Sequence, residues 1–458
     1  MTILEDAVPR ATAGRSTFFG EPPALGFLAF TEAWERFSYY GMTALLVLYM
    51  SEALFMPGHI QHVAGFQSFR AGLESVFGHM STVALASQIY GIYTGSVYFT
   101  PIFGGMIADR WIGRRNAVML GAVLMSAGHI AMAFDASFLL ALALLITGCG
   151  LLKGNISTQV GELYAENDGA GRTRGFSIFS IGINVGAVAG PLVCGLLAQE
   201  YGWHAGFGLA GLLMLIGLAT YISGYRYLRD SANPHHVARS DAPLTRRDWI
   251  VIAVLIGTIS LTVFQSVAYY QNGDIGLVWI TQHVNLDVLG FLIPVPWFNS
   301  IDSFVSIVAV PGLFALWRRQ ASRGVEPSEI GKIGVGAWLA AIANLLLAVA
   351  CLMSRRVSGI FPVVYDIILG VGFLYYWPTI LALVSRAAPQ KIKATMMGCV
   401  FLSLSVSNFT MGWIGSFYER MTPAEFWGLN AAIAAAGGLI VLVARPHLER
   451  ILNAGADR

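Results

Sequence analysis

Twelve apolar runs, each long enough to cross the roughly 30 Å of bilayer hydrocarbon, dominate this chain. They fall at residues 24–51, 82–108, 116–134, 138–161, 175–199, 205–228, 249–271, 297–317, 333–353, 361–385, 394–418 and 424–444. In lipid every backbone N–H and C=O must be satisfied internally, so such runs form helices. An all-α integral membrane protein in a lipid bilayer is expected. Composition agrees: 56% of the 458 residues are hydrophobic and only 12% charged, where a soluble domain carries about 25% charged residues. The cysteines Cys149, Cys194, Cys351 and Cys399 all lie inside apolar runs, which argues against a disulfide framework. A net charge of +2 does not point to nucleic acid, and no such partner is expected. Residues 1–23 hold no short apolar core before a small-residue cleavage site, so no cleaved signal peptide is expected.

The longest polar stretch between the runs is 229–248, which divides them six and six. The expected organisation is a segment 1–23, a six-helix half 24–228, a linker 229–248, a second six-helix half 249–445 and a tail 446–458. Two such halves around a central cavity suggest the major facilitator fold. The segments 53–81 and 272–296 exceed tight turns, and parts of them are expected to extend their flanking helices. Lysine and arginine set the orientation. With both termini cytoplasmic, the inner loops hold seventeen basic residues, among them Arg110, Arg114, Arg115, Arg226 and Arg386. The outer loops hold only Arg70, Arg355, Arg356 and Arg420.

Charge inside the apolar runs is the chemical signal. Glu32, Glu35 and Arg36 stand within five residues of the first run and share one helical face. Each such charge costs roughly 2.5–3.5 kcal/mol at the bilayer centre, so the three must face a wet cavity and find partners. Lys153 sits about eight residues, roughly 12 Å, from the inner end of the fourth run, which is far for snorkelling to the surface. Glu32 and Glu35 are its expected partners. Between runs two and three, Gly104-Gly105-Met106-Ile107-Ala108-Asp109-Arg110-Trp111-Ile112-Gly113-Arg114-Arg115 resembles the loop signature of the major facilitator superfamily. Gly105, Asp109, Arg110 and Arg114 are the gating candidates; the bland reading is a positive-inside turn. Asn184 in the fifth run is either a cavity hydrogen-bonding group or glue between helices.

The run Phe18-Phe19-Gly20-Glu21-Pro22, leading into Glu32-xx-Glu35-Arg36-Phe37-x-Tyr39-Tyr40-Gly41, resembles the proton-dependent oligopeptide transporter family. Gly148-x-Gly150-xx-Lys153-x-Asn155 and Phe179-xxxx-Asn184-x-Gly186 are similar to further signatures of that family. The resemblance implies a proton-coupled symporter for di- and tripeptides that works by alternating access. By it, Glu32, Glu35, Arg36 and Lys153 couple proton uptake to peptide binding. Arg36 and Lys153 would also attract the peptide carboxylate, with Tyr39, Tyr40, Tyr93 and Asn184 lining the site.

The second half departs from the family. Phe373 stands where span ten usually has a glutamate that holds the peptide amine, Val400 follows Met397-Gly398-Cys399 where a tryptophan is common, and Ser180 replaces a tyrosine. Gly91 stands where animal members have a histidine. Asp302 falls where the family usually has Asn and is the expected amine or second proton site. Asp366 is another candidate, and Asp274 reads as a solvated loop charge. Gln271 and Trp377 are further pocket candidates. The expected protein is a plasma (inner) membrane proton:peptide symporter, working as a monomer, without a cofactor or metal. It is not expected to be an enzyme, since no nucleophile elbow, phosphate loop or His/Cys ligand cluster is present. The alternatives are the same fold carrying nitrate or an amine-blocked peptide, and a membrane sensor that does not transport.

Overall fold

The apolar runs fold as twelve long helices. The computed structural model describes residues 17–165, 168–228 and 244–453. Spans one to six are Pro23–Tyr49, Thr82–Phe99 continued by Pro101–Ile107, Arg114–Ala131, Phe138–Glu162, Gly169–Tyr201 and Trp203–Gly224. Spans seven to twelve are Arg246–Tyr270, Asn299–Ser322, Glu329–Met353, Ile360–Ala387, Lys393–Gly415 and Pro423–Asn453. Among the described residues, nine of these are long and apolar enough to cross a membrane on length and composition alone. The other three carry a polar load: span one holds Glu32, Glu35 and Arg36, span two holds Tyr90, Tyr93 and Tyr98 and breaks at Pro101, and span three opens on Arg114-Arg115.

Span twelve runs on through Pro446 to Asn453, into the stretch read from sequence as a tail. Of the linker, 229–243 lies outside the described residues; Thr245 and Asp248 form a capping box that starts span seven. The two long connections do not simply extend their neighbours. Met50–Leu54 continues span one as a π-helical turn, but Phe66–Phe77 is a separate helix. After span seven come a short helix Ile275–His283 and a hairpin pairing Asp287–Val288 with Phe291–Leu292. Val284–Asn285 pairs in parallel with Val357–Ser358 and so ties this connection to the one before span ten.

Small residues set the helix spacing inside each half, as expected where lipid supplies no hydrophobic drive between helices. A Cβ on Gly186 would stand 2.6 Å from the Ala33 carbonyl, and one on Gly190 would stand 2.5 Å from the Phe37 carbonyl. Spans one and five therefore touch through backbone, which turns the Glu32–Arg36 face toward the centre. Across the halves, span two packs on span eleven and span five on span eight. Among the described residues, Ser405 Oγ donates to the Gly95 carbonyl at 2.7 Å midway along spans eleven and two, and further hydrogen bonds across the halves gather at one end, the end of the 274–298 connection. Ser87 donates to Asp274, Trp297 Nε1 to the Leu192 carbonyl at 2.8 Å, Ser300 Oγ to the Val188 carbonyl at 2.8 Å, and Gln199 to the Leu292 carbonyl at 3.0 Å. At the opposite end four ion pairs among the described residues each lie within one half: Arg174–Glu21, Arg114–Glu162, Arg386–Glu329 and Arg445–Glu449.

Candidate functional site

A cavity of about 400 Å³ lies between the halves. From the first half it takes Glu32, Arg36, Tyr39 and Tyr40 of span one, Tyr90, Thr94 and Tyr98 of span two, Lys153 of span four and Asn184 of span five. From the second it takes Tyr269, Tyr270, Asn299, Asp302, Phe373, Trp377, Phe401 and Asn408. Both the size and the few convergent polar groups suit a small solute.

Arg36 is the hub of the first half. Its Nε lies 3.0 Å from Glu32 Oε1 and also contacts the Glu35 carboxylate. Glu35 is fully buried behind it, while Glu32 and Arg36 reach the cavity. Glu32 Oε2 and Arg36 Nη2 have no aligned hydrogen-bond partner among the described residues, so the network retains capacity for another polar group. The expected pairing of Lys153 with the glutamates is corrected: its ammonium rests over the Tyr98 ring, 4.2 Å from the centroid, and among the described residues Arg36 alone holds both acids within ion-pair distance. Charge balance is local. An arginine one helical turn from Glu32 on the same span forms that pair with no movement of span four.

In the second half Tyr269 donates a hydrogen bond to Asp302 Oδ2 at 2.5 Å, and Ser303 Oγ lies 3.3 Å from Oδ1. Phe373 stacks on Tyr269, with ring centroids 5.4 Å apart. Besides Glu35, three named candidates do not reach the cavity lining. Tyr93 is buried in the packing of span two, off the Tyr90–Thr94–Tyr98 face. Gln271 is fully buried and donates to the Met411 carbonyl at 3.2 Å. Asp366 is buried on span ten. Asp274 is no solvated loop charge: it is fully buried and bonded to Ser87 of the other half. Gly91 could not carry a histidine here, since any Cβ would stand 2.7 Å from the Asn408 carbonyl and the Gly412 Cα.

Sequence reasoning passed over Tyr90, Thr94, Tyr98, Tyr269, Tyr270 and Phe401. For span two a signal existed, because residues 90, 94 and 98 repeat at the spacing of one helical face. At the turn after span two, Asp109 pairs with Arg114 at 3.0 Å, and Arg114 also contacts Glu162 at the end of span four. Arg110 is exposed. Gly104, not Gly105, makes the close helix contact: a Cβ there would overlap the Gly150 backbone of span four, while one on Gly105 meets nothing within 4 Å.

The family model described as PTR2, the POT family, matches residues 115–246 and 245–428. The chain is 28% identical to the peptide transporter YePEPT of Yersinia enterocolitica, over 96% of this chain and 97% of that one. It is 29% identical to a di-/tripeptide transporter of Lactococcus lactis subsp. lactis, over 95% and 98%. Among solved structures, a peptide transporter POT in complex with sulfate superposes with a TM-score of 0.83 at 27% identity, covering 95% of this chain and 97% of that one. A mutant of a peptide transporter POT in complex with alafosfalin gives 0.83 at 28% identity, with the same coverage.

Proposed function

From the premise that this chain belongs to the POT family of transporters, we propose that it is a proton-coupled symporter that imports di- and tripeptides by alternating access. The observation that carries the reading is the double hold of Glu32 and Glu35 on Arg36 at the edge of a cavity that also presents Lys153 and, on its far wall, Asp302. With both glutamates ionised, Arg36 is occupied. Protonating one of them releases the guanidinium toward a substrate carboxylate, while Lys153, resting over the Tyr98 ring at the cavity wall, is already available to it. A pair of unit charges at 4 Å is worth about 4 kcal/mol at an effective dielectric near 20, before desolvation. Coupling two binding events takes only about 1–3 kcal/mol. Asp302 supplies the counter-charge for a peptide amine and so favours a zwitterionic substrate over nitrate or another simple anion.

The relatives' names and the peptide-like ligand of a structural neighbour support the substrate class. The lysine and arginine asymmetry supports a plasma-membrane protein with both termini cytoplasmic, so the end bearing the Ser87–Asp274 contact faces outward. In that orientation the structure is closed to the outside. Asp109, Arg114 and Glu162 lie at the inner end as gating residues. The test is uptake of dialanine into liposomes under a pH gradient. Glu35→Gln and Lys153→Ala should each lose gradient-driven accumulation. Either variant concentrating peptide like the wild type would overturn the coupling network, and wild-type protein without counterflow of any peptide would favour a sensor.

A further inference from the structure

A second cavity, of about 280 Å³, lies between the halves at the end of the 274–298 connection and shares no lining residue with the central one. Leu45, Leu48 and Glu52 face it from span one and its π-helical extension, at the spacing of one helical face. Trp203 borders it from the start of span six, and Pro294, Val295 and Pro296 of the second half cover the other side. The halves touch along its edge: a Cβ on Gly195 would stand 2.8 Å from the Pro296 Cβ.

The lining is divided by polarity. Leu45, Leu48, Pro294 and Pro296 are buried and apolar, whereas Glu52, Gln199 and Thr281 are exposed and form a polar mouth. The Gln199 amide already donates to the Leu292 carbonyl. The Thr281 hydroxyl reaches Glu52, but it has one proton, and the Leu277 carbonyl at 3.1 Å accepts it as well. Among the described residues no Lys, Arg or His lines the cavity, and no cation pairs with Glu52. A carboxylate without a counter-ion at the mouth of an apolar cavity fits a ligand with a charged head and a hydrocarbon body.

We propose that this cavity is an inhibitory site for apolar ammonium ions: the ammonium pairs with Glu52, and the hydrocarbon part fills the space between span one, Trp203 and the two prolines. The inference goes beyond peptide recognition but rests on the alternating-access reading. In that cycle, separating the halves at this end carries Thr281 and Pro294–Pro296 away from span one and dismantles the cavity. A ligand that binds one of two states stabilises that state by its differential affinity. The occupied site therefore holds this end closed and stalls the cycle, while the central cavity stays free for peptide.

The test is counterflow of labelled dialanine, run without a proton gradient so that an amine cannot act by collapsing one. The probes are phenethylamine, phenethyl alcohol, which keeps the body without the charge, and methylamine, which keeps the charge without the body. Phenethylamine should lower the maximal counterflow rate, excess dialanine should not restore it, and the other two should be at least about tenfold weaker. Glu52→Gln should raise the half-inhibitory concentration at least about fivefold, and Glu52→Asp, which keeps the charge, should stay within about threefold of wild type. Val295→Phe, which fills the cavity from the other half, should also weaken the amine while dialanine is still exchanged. Inhibition relieved by excess dialanine would put the amine in the central cavity, and undiminished inhibition of Glu52→Gln would put it elsewhere; either result overturns the proposal. So does wild-type protein that exchanges dialanine at full rate in phenethylamine. Absence of dialanine counterflow by the wild type overturns instead the transport reading beneath it.

Discussion

Gly104 and Gly105 are adjacent and chemically identical, yet the fold treats them differently. A side chain at Gly104 must push span two away from the backbone of Gly150, whereas Gly105 faces open space. Gly104→Ala should cost about 1–3 kcal/mol as overpacking, and Gly105→Ala should stay within about 0.5 kcal/mol. Thermal unfolding in one detergent, read as the difference in Tm, checks both; equal shifts would remove the distinction. The pair shows where reading the chain stops. A motif announces that a glycine matters, but which one meets a neighbour depends on helix rotation. Charges were legible residue by residue, because an ion in lipid is too costly to be incidental: Glu32, Arg36, Lys153 and Asp302 all reach the cavity. Their aromatic partners were not. A tyrosine carries no such cost at a helix end, and Lys153 found Tyr98 where a glutamate was expected. Asp274 failed for a related reason. Its position past the apolar run looked solvated, but the turn Gln271–Gly273 carries it between the halves.

Helices one to twelve were legible as elements, because a twenty-residue apolar run has one structural solution in a bilayer. The connection after span one was not, since the helix Phe66–Phe77 is held by side-chain chemistry that hydropathy does not register. Glu74 organises its end. It accepts from Arg70 Nε at 3.0 Å and from the Met80 backbone at 3.2 Å, with His79 Nδ1 at 3.1 Å. The Met80 N–H, then Arg70 and His79, hold its carboxyl below the ordinary glutamate range despite some desolvation. A carboxylate with a depressed pKa stabilises its element fully above the unfolded value, near 4.5, and that contribution is lost as pH falls through the lower folded value. Glu74→Gln should therefore speed amide exchange at Gly78–Met80 by about 2- to 10-fold at pH 7, as loss of a hydrogen-bonded contact worth about 0.5–1.5 kcal/mol requires. The gap between variant and wild type should be the same at pH 6 and close only in strong acid. Exchange followed by mass spectrometry measures it, and a gap that closes between pH 7 and 6 would assign the effect to another group.

At the scale of the molecule, in the proposed alternating-access cycle with the end of the 274–298 connection outward, the balance between inward- and outward-facing forms is set by how well the two halves fit at that outer end. Their closest approach there is backbone on backbone. A Cβ on Gly91 would stand 2.7 Å from the Gly412 Cα, and one on Gly412 would stand 2.7 Å from the Ser87 carbonyl. At the other end the pairs Arg114–Glu162 and Arg386–Glu329 each stay within one half. A side chain at Gly91 therefore penalises the closed outer end specifically. Since Gly91 packs on the other half, its wedge acts on the equilibrium between states more than on the folding of its own bundle. Overpacking of about 1–3 kcal/mol placed on one of two states moves their ratio by about 5- to 150-fold. Gly91→Val should thus enrich the outward-facing form and slow counterflow, because each cycle must pass through the penalised state. Spin labels at His79→Cys and Met421→Cys, which are exposed and on opposite halves, report the outer separation by pulsed EPR. The variant should show a new, longer distance population, and the effect should persist with Glu35→Gln, which on the proposed mechanism removes proton coupling but not the wedge. If the folded variant keeps the wild-type distances, the outer glycine contact is not what holds the halves together, and the Ser87–Asp274 bond becomes the next element to test.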